Sequence, residues 1–181
     1  MKKTGMISSC LLLLVLVHAL SARAGAAELG EYEIKSGMLY NFISFIEWPP
    51  EVFDKAEAVD LCIAGDISSN RPFFRLQGKQ QKGRRIVVRQ VTGPGGTMGC
   101  SMLFINRSEG RRLAAYLQAA HTRSILTVGD SDGFAANGGI IGFIEQDGRV
   151  RFEINVDAAQ RSKIRISSQL LKLARIVAGR K

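Results

Sequence analysis

The 181-residue chain is poor in the side chains that build catalytic and metal centres. It contains two histidines, three cysteines and one tryptophan. If the N-terminal segment described next is removed, His121 is the remaining histidine, which excludes a histidine-rich metal site. The sequence also lacks a Gly-x-Ser-x-Gly elbow, a phosphate-binding loop and a His-Glu-x-x-His motif. We therefore expect a protein that is not an enzyme and that binds neither a metal nor a cofactor.

Long apolar runs are also absent, and this excludes an ordinary membrane-spanning helix, which needs about 20 apolar residues. The run Leu11–Val17 is much shorter, follows Lys2 and Lys3, and is followed by small residues ending at Ala26. A secretory signal peptide has this order: positive charges first, then an apolar core, and then small residues before the cleavage site. The sequence therefore predicts a signal peptide over residues 1–26 and an exported domain over residues 27–181. Cleavage after Ala24 and an uncleaved membrane anchor are the alternatives.

Acidic residues are fewer than basic ones, and the formal net charge is +9. Residues 1–26 hold three basic and no acidic residues, so their removal leaves +6. The remaining basic residues are dispersed and lack the aromatic interleaving of nucleic-acid-binding proteins, so no nucleic-acid partner is expected. The charge indicates either a solvated surface or a preference for an anionic membrane face or an acidic partner.

Outside the N-terminal segment only two cysteines remain, Cys62 and Cys100, separated by 38 residues. This spacing is wrong for a CxxC redox motif, and no histidine lies nearby to complete a zinc site. In an oxidising compartment an even pair predicts one disulfide, and the alternative is two buried, unpaired thiols.

The hydrophobic pattern predicts an α/β fold. Glu28 to Glu47 reads as an amphipathic helix that ends before Trp48-Pro49-Pro50, because proline cannot continue a helix. Continuous apolar strands then alternate with helices, which indicates a sheet buried on both faces. The helix stripe is predicted at Ile34, Met38, Phe42, Phe45 and Ile46, widened by Leu39 and Ile43, and the strands at 59–65, 84–91, 100–105 and 124–129.

A hairpin is predicted near the C-terminus, where Asp147-Gly148 separates two strand-like runs at 140–145 and 149–155. A last helix is expected to start after Ser167, with its core face at Leu170, Leu173, Ala174 and Val177. The predicted class is α/β, a single-domain mixed sheet flanked by helices, with a C-terminal antiparallel hairpin.

Two polar segments are candidate sites. Arg149, Arg151 and Glu153 project from one face of the last predicted strand, as a solvated strip or as a site for an anionic ligand or partner. Gly129–Gly133 superficially resembles a calcium loop, but it lacks the glutamate at the twelfth position. Asp130 is therefore interpreted as an ordinary acidic residue in a turn.

Several blocks taken together resemble one protein family, the YfiR family of periplasmic proteins. They occur in order, and the resemblance covers nearly the whole chain after residue 26, from about Tyr32 to Ala178. The blocks are Leu39-Tyr40-Asn41-Phe42-Ile43, Glu47-Trp48-Pro49, Cys62-Ile63-x-Gly65, Gly99-Cys100-x-Met102-Leu103-Phe104-Ile105, Arg151-Phe152-Glu153-Ile154-Asn155 and Ser167-Ser168-Gln169-Leu170-Leu171. Within them we take as family signature Asn41, Trp48, Pro49, Asn155 and Gln169.

The resemblance implies a non-enzymatic repressor. Family members bind the periplasmic sensor domain of an inner-membrane diguanylate cyclase and keep its cytoplasmic output inactive, which lowers cyclic di-GMP and biofilm formation. An OmpA-like outer-membrane lipoprotein can sequester the repressor, and members tend to be homodimers that respond to redox state. Cys62 and Cys100 fall where the family's cysteine pair does, but this chain has no second downstream pair. The alternative function is a periplasmic module that binds a small anionic solute.

Overall fold

A computed structural model describes residues 30–53 and 58–179. The predicted signal peptide lies outside the described residues and stays a prediction. Within the described ranges, no helix has both the length and the hydrophobicity needed to cross a membrane.

An eight-stranded mixed sheet forms the centre of the structure, in the order β10-β8-β7-β6-β5-β2-β4-β3, and β1 and β9 form a separate pair. In chain order the strands are β1 (Ile46–Glu47), β2 (Ala58–Ala64), β3 (Gln80–Gln81), β4 (Arg84–Val91), β5 (Met102–Ile105), β6 (Leu126–Gly129), β7 (Ile141–Gln146), β8 (Arg149–Ile154), β9 (Arg165–Ile166) and β10 (Arg175–Ile176).

The described residues contain five α-helices, of which the first precedes β1 and the other four connect strands. They are α1 (30–42), α2 (Ile67–Phe74), α3 (Leu113–His121), α4 (Val156–Arg161) and α5 (Ser168–Leu171). Four short 3₁₀ segments, Ile43–Phe45, Pro50–Val52, Pro94–Thr97 and Arg107–Arg112, complete the described secondary structure.

Strands β4, β2, β5, β6 and β7 are parallel neighbours, and the centre of this sheet is buried on both faces. Alternate side chains of β2 and β5 enter two different hydrophobic clusters, as the two-residue period of a strand requires. The larger cluster includes Leu39 and Phe42 of α1, and the smaller one includes Tyr116 and Leu117 of α3. Both the α/β class and the flanking helices are confirmed.

The predicted C-terminal hairpin is also confirmed. Strands β7 and β8 pair antiparallel from Ile141↔Ile154 to Gln146↔Arg149. Asp147 and Gly148 join them with φ angles of 52° and 67°. A two-residue turn with positive φ at both positions matches the twist of the flanking strands, and Asp-Gly adopts it readily.

The predicted first helix is partly wrong. The α-helix ends at residue 42, and Ile46 and Glu47 instead form β1, pairing with Ile166 and Arg165 of β9. The predicted stripe is confirmed at Leu39, Phe42, Ile43 and Ile46, whereas Ile34 is 54% exposed and lies outside the buried face. The buried face of this segment consists of Tyr32, Lys35, Ser36, Leu39, Phe42, Ile43 and Ile46.

The predicted last helix is shorter than expected. Ser167 caps it as predicted, and its side chain accepts a hydrogen bond from the Leu170 amide. The helix ends at Leu171, and the chain turns into β10, which pairs in parallel with β8. Of the predicted core face, Leu170 is buried and Ala174 packs partly buried against the larger cluster, but Leu173 is 69% exposed.

Candidate functional site

The carboxyl ends of the parallel strands converge on a buried polar cluster. The chain leaves β2 for β4 on one side and returns to β5 on the other, so the strand order reverses between β2 and β5. In open α/β sheets, ligands bind in the crevice outside the strand ends at such a reversal. Here Asn106 follows β5 and Asp130 follows β6, and both are buried. This is where the fold itself places a functional site.

Asp130 is the centre of the cluster. Its Oδ2 atom accepts a hydrogen bond from the Tyr32 hydroxyl at 2.7 Å and lies 2.7 Å from Lys35 Nζ. Its Oδ1 atom accepts a hydrogen bond from the Arg107 backbone amide at 2.6 Å. Burying a carboxylate is costly unless it is paired and hydrogen-bonded, and Asp130 is both.

Lys35 is held inside the protein by opposite charge and by aromatic rings. Besides Asp130, its ammonium group lies 2.5 Å from Glu31 Oε1. It also sits 4.4 Å from the ring centroid of Tyr32 and 5.9 Å from that of Phe143. A desolvated cation over an aromatic face is stabilised by the ring quadrupole. These contacts explain how a lysine occupies the buried stripe of α1.

Tyr32 connects the helix to β5. Burial, and then the Asp130 carboxylate, raise the pKa of the Tyr32 hydroxyl well above its usual range, so it remains a hydrogen-bond donor. The Asn106 side-chain amide donates to the Tyr32 oxygen at 2.9 Å and to Asn70 Oδ1 at 3.1 Å. The Asn106 carbonyl oxygen also caps the following 3₁₀ segment by accepting from the Ser108 amide.

The crevice at the strand reversal is therefore filled by the protein's own side chains. Tyr32 and Lys35 from α1 pack over the strand ends beside this reversal and contact Asp130. Gly65 at the end of β2 has a φ of +110°, and a Cβ atom there would lie 2.5 Å from the Asn106 Cβ atom. This close packing fixes α1 to the strand ends and gives the cluster a positioning role, while Lys35 and Asp130 also line the open cleft described next.

Beside the cluster lies an open cleft of about 370 Å³. Phe143 and Ile144 of β7 form one wall, and Arg107 and Arg175 contribute exposed guanidinium groups. The remaining lining is Glu31, Lys35, Asp130, Asp132, Gly133, Glu145 and Gln146. Cations and carboxylates thus face one another across a predominantly polar cleft, a surface suited to a small charged molecule or to a polar segment of a partner protein.

The two cysteines form the predicted disulfide. Cys62 in β2 and Cys100 before β5 are joined, with Cα atoms 5.8 Å apart, and both residues are buried. Arg89 lies against the bridge, with Nη2 3.3 Å from Cys100 Sγ, and it also donates to the Gly96 and Met98 carbonyl oxygens. The bridge therefore ties the loop before β5 to the centre of the sheet.

The strip on β8 is only partly exposed. Arg149 and Arg151 are exposed, and they lie opposite the cleft residues Gln146 and Ile144 of β7. Glu153 is 5% exposed and forms an ion pair with Arg175 of β10. The expectation that all three project from one polar face holds for the two arginines, while Glu153 is covered. Their binding role stays a prediction.

The signature residues do not form one site. Asn41 and Gln169 are exposed on the surface. The Trp48 indole donates a hydrogen bond to the Ser101 carbonyl oxygen at 3.0 Å, and Pro49 follows it on the way into the Pro50–Val52 segment. Asn155 is fully buried, where it caps α4 and donates to the Ala135 carbonyl oxygen at 2.8 Å. Trp48 and Asn155 thus have structural contacts that account for them.

The sequence interpretation missed the central cluster. Asp130 was interpreted as an ordinary turn residue, and Lys35, Tyr32 and Asn106 were assigned no site. One signal was available, because an acidic residue directly after one apolar strand and an amide directly after another share one edge of a parallel sheet. In the part of the chain that is described, no group of three or more His, Cys, Asp and Glu side chains is placed to hold a metal ion.

The protein is therefore a disulfide-bonded α/β domain. The strand order of its sheet reverses at a crevice that is filled by the protein's own side chains. The chain belongs to the YfiR/HmsC-like family, whose sequence model matches residues 32–175. This is a family of periplasmic regulators rather than of enzymes, and the disulfide agrees with a periplasmic location. The expected family is therefore confirmed.

Solved structures are similar in fold only. A conserved domain protein from Vibrio cholerae matches with 10% sequence identity and a TM-score of 0.50, over 70% of this chain and 56% of that one. An ABC domain in complex with L-Trp from Streptococcus pneumoniae matches with 10% identity and a TM-score of 0.49, over 72% and 57%. This chain thus spans little more than half the length of either structure.

Proposed function

We propose that the protein is a periplasmic repressor that binds the periplasmic sensor domain of an inner-membrane diguanylate cyclase and lowers cyclic di-GMP and biofilm output. The observation that carries this proposal is the family match over residues 32–175. The filled crevice at the strand reversal supports it, because Tyr32 and Lys35 pack over the strand ends where many α/β domains hold a ligand.

Repression of this kind requires no chemistry. A protein that binds one state of a receptor more tightly than another shifts the receptor's equilibrium by the ratio of the two affinities. The disulfide, the buried ion pair and the capped helices give the domain a rigid surface for such binding. An OmpA-like outer-membrane lipoprotein would act by competing for the same protein, and a homodimer would present two copies of its binding surface.

The β7–β8 hairpin is the proposed contact surface. Arg149 and Arg151 are exposed next to the cleft, and arginine offers a planar fork of donors that matches carboxylates. The ion pair between buried Glu153 and exposed Arg175 holds β10 against the same hairpin. The proposed receptor surface is therefore acidic where it meets this hairpin.

Direct binding tests the proposal. The purified protein is titrated against the purified periplasmic domain of each membrane diguanylate cyclase of the same organism, by biolayer interferometry. We expect one domain to bind, and Arg149→Glu with Arg151→Glu to weaken that binding at least tenfold. The matched control is Arg161→Glu with Lys163→Glu, which changes the charge equally on exposed residues of another surface. Failure of every domain to bind would overturn the proposal.

The cleft beside Asp130 supports a second candidate, a module that binds a small anionic solute. Arg107 and Arg175 line this cleft with exposed guanidinium groups, and its volume of about 370 Å³ suits a small molecule. A ligand at one hundred times its dissociation constant would raise stability by about 2.7 kcal/mol. A thermal-shift screen with periplasmic anions checks this; if a receptor domain raises the melting temperature and no anion does, the second candidate is wrong.

A further inference from the structure

A segment of the chain that forms one edge of the sheet contains basic residues and no acidic residue. From Ile67 to Ser108 the sequence contains eight basic residues and no acidic one. This segment includes α2 and the two strands at one end of the sheet, β4 and the outermost strand β3. Although basic residues are dispersed along the sequence, the fold therefore places several of them at this edge, where Glu33 and Glu47 are the carboxylates that line the neighbouring pockets.

Four of these residues surround the β3–β4 hairpin, and we call them the basic edge: Lys79, Lys82, Arg84 and Arg85. Three of them are exposed, and Arg84 is half-buried. Within the described ranges none of the four lies within 4.0 Å of a carboxylate oxygen, whereas Arg107, Arg112 and Arg175 each form an ion pair. The charge of the basic edge is thus not neutralised within the described structure.

Aromatic rings lie beside these cations. Lys79 Nζ is 5.8 Å from the ring centroid of Tyr40, and the Arg84 guanidinium carbon is 3.9 Å from that of Phe53. Phe53 in turn contacts Trp48 edge-on, with ring centroids 5.6 Å apart. All three rings are half-buried. Half-buried aromatic rings next to lysine and arginine are typical of surfaces that meet the membrane–water interface.

We propose that the basic edge docks the protein on a bilayer surface that contains anionic phospholipids. The four cations lie around the outermost hairpin, and the pockets beside it, lined by Lys82 and Arg84 or by Lys79, are open to solvent. A broad anionic surface can therefore contact the four cations together. A lipid surface also needs no fixed carboxylate partners, which agrees with side chains that have none in the described structure. Each lysine or arginine near an anionic surface favours binding by about fivefold.

The same residues have one competing explanation. Lysine and arginine on an outer strand hinder pairing with strands of other molecules, and this needs no ligand. That explanation predicts no affinity for lipid, so vesicle binding separates the two. It also separates this inference from the proposed repressor function, because the vesicles contain no protein receptor.

The test is co-sedimentation with vesicles of phosphatidylcholine containing one third phosphatidylglycerol, compared with phosphatidylcholine alone. The protein is purified from the periplasmic extract, and its mass is measured. The edge variant is Lys79→Gln, Lys82→Gln and Arg85→Gln. The matched control is Arg111→Gln, Arg123→Gln and Arg161→Gln, which removes the same charge from exposed residues elsewhere. All proteins share one N-terminus, so differences between them report on the folded domain.

We expect the wild type and the control to bind the anionic vesicles and the edge variant to bind on the order of a hundredfold less tightly. Binding should fall as salt is raised, since the Debye length shortens to about 3 Å at 1 M ionic strength. Equal loss in both variants, or no wild-type binding at low salt, would overturn the proposal. So would an edge variant that binds vesicles normally but no longer binds an acidic receptor domain, because the edge would then be a protein-docking surface.

Discussion

Lys35 Nζ lies 2.7 Å from Asp130 Oδ2, and neither side chain is more than 2% exposed. This pair joins α1 to the loop after β6 across 95 residues of sequence. Because both charges are buried away from water, each is stabilised by the other. The pair therefore fixes the position of α1 on the sheet.

Replacing one partner should therefore be strongly destabilising. Lys35→Met leaves the Asp130 carboxylate with the Tyr32 hydroxyl, the Arg107 amide and a longer contact to Arg107 Nε at 3.5 Å. We expect a loss of about 3 kcal/mol in the free energy of unfolding, measured by urea denaturation. Lys172→Met is the control on an exposed lysine, with an expected change within about 0.5 kcal/mol.

The double variant Lys35→Met with Asp130→Asn should cost less than the sum of the single changes, because it removes both buried charges. The asparagine carbonyl oxygen keeps an acceptor for Tyr32 or for the Arg107 amide. Additive losses would show that the two residues act independently and would contradict a coupled pair.

The disulfide should contribute a large part of the free energy of unfolding. Closing a loop of 38 residues stabilises by about 4 kcal/mol in the chain-entropy account. We expect reduction with dithiothreitol to lower the urea midpoint of the wild type. The double variant Cys62→Ala with Cys100→Ala should be equally weak with or without reductant. Identical wild-type curves in both conditions would contradict this expectation.

Phe134 is packed between two glycines of the smaller hydrophobic cluster. A Cβ atom at Gly139 would lie 2.0 Å from the Phe134 ring, and one at Gly129 would lie 2.3 Å from it. Gly139→Ala should therefore destabilise by about 3 kcal/mol, since the buried ring cannot move without disturbing the core. Thermal unfolding measures the effect. The control is Gly110→Ala, because a Cβ atom at Gly110 would meet open space. Gly148→Ala is unsuitable as a control, because the positive φ of Gly148 would strain an alanine there.

The pH dependence of stability should include a contribution from Asp60 in β2. Burial raises the pKa of this carboxyl above its ordinary value of 3.8, and the nearby Arg89 guanidinium opposes the shift. The folded state therefore binds the proton more tightly than the unfolded chain does. The resulting stability is present below pH 3.8 and is lost as the pH rises through the folded-state pKa.

Asp60→Asn should flatten this part of the profile, so that the variant gains stability relative to the wild type as the pH rises towards neutrality. Urea midpoints measured across the acidic range test this, with Asp147→Asn at the exposed hairpin turn as control. A stability difference between Asp60→Asn and wild type that does not change with pH would contradict the assignment.

Local signals in the sequence were sufficient for much of the fold. Asp147-Gly148 predicted the hairpin because only a few residue pairs favour positive φ at both turn positions. Strand β4 was predicted with its observed bounds, because its β-rich run is closed at both ends by turn residues. The disulfide followed from an even cysteine count, and the structure confirmed it.

The features that the sequence did not predict depend on contacts between distant parts of the chain. Lys35 and Ser36 made the buried face of α1 look polar, and this brought Ile34 into the predicted stripe. The partners that make Lys35 acceptable inside the protein lie far away, at Asp130 and Phe143. Similarly, α5 ends early because Arg175 and Ile176 pair with β8, and a helical pattern cannot show this strand pairing.

The central claim, repression of a membrane diguanylate cyclase, is tested most directly by measuring cellular cyclic di-GMP after deletion of the gene. The account predicts that the level rises and that expression of the wild-type protein returns it to normal. Arg149→Glu with Arg151→Glu, expressed at the same level, should fail to do so. An unchanged cyclic di-GMP level in the deletion strain would contradict the account.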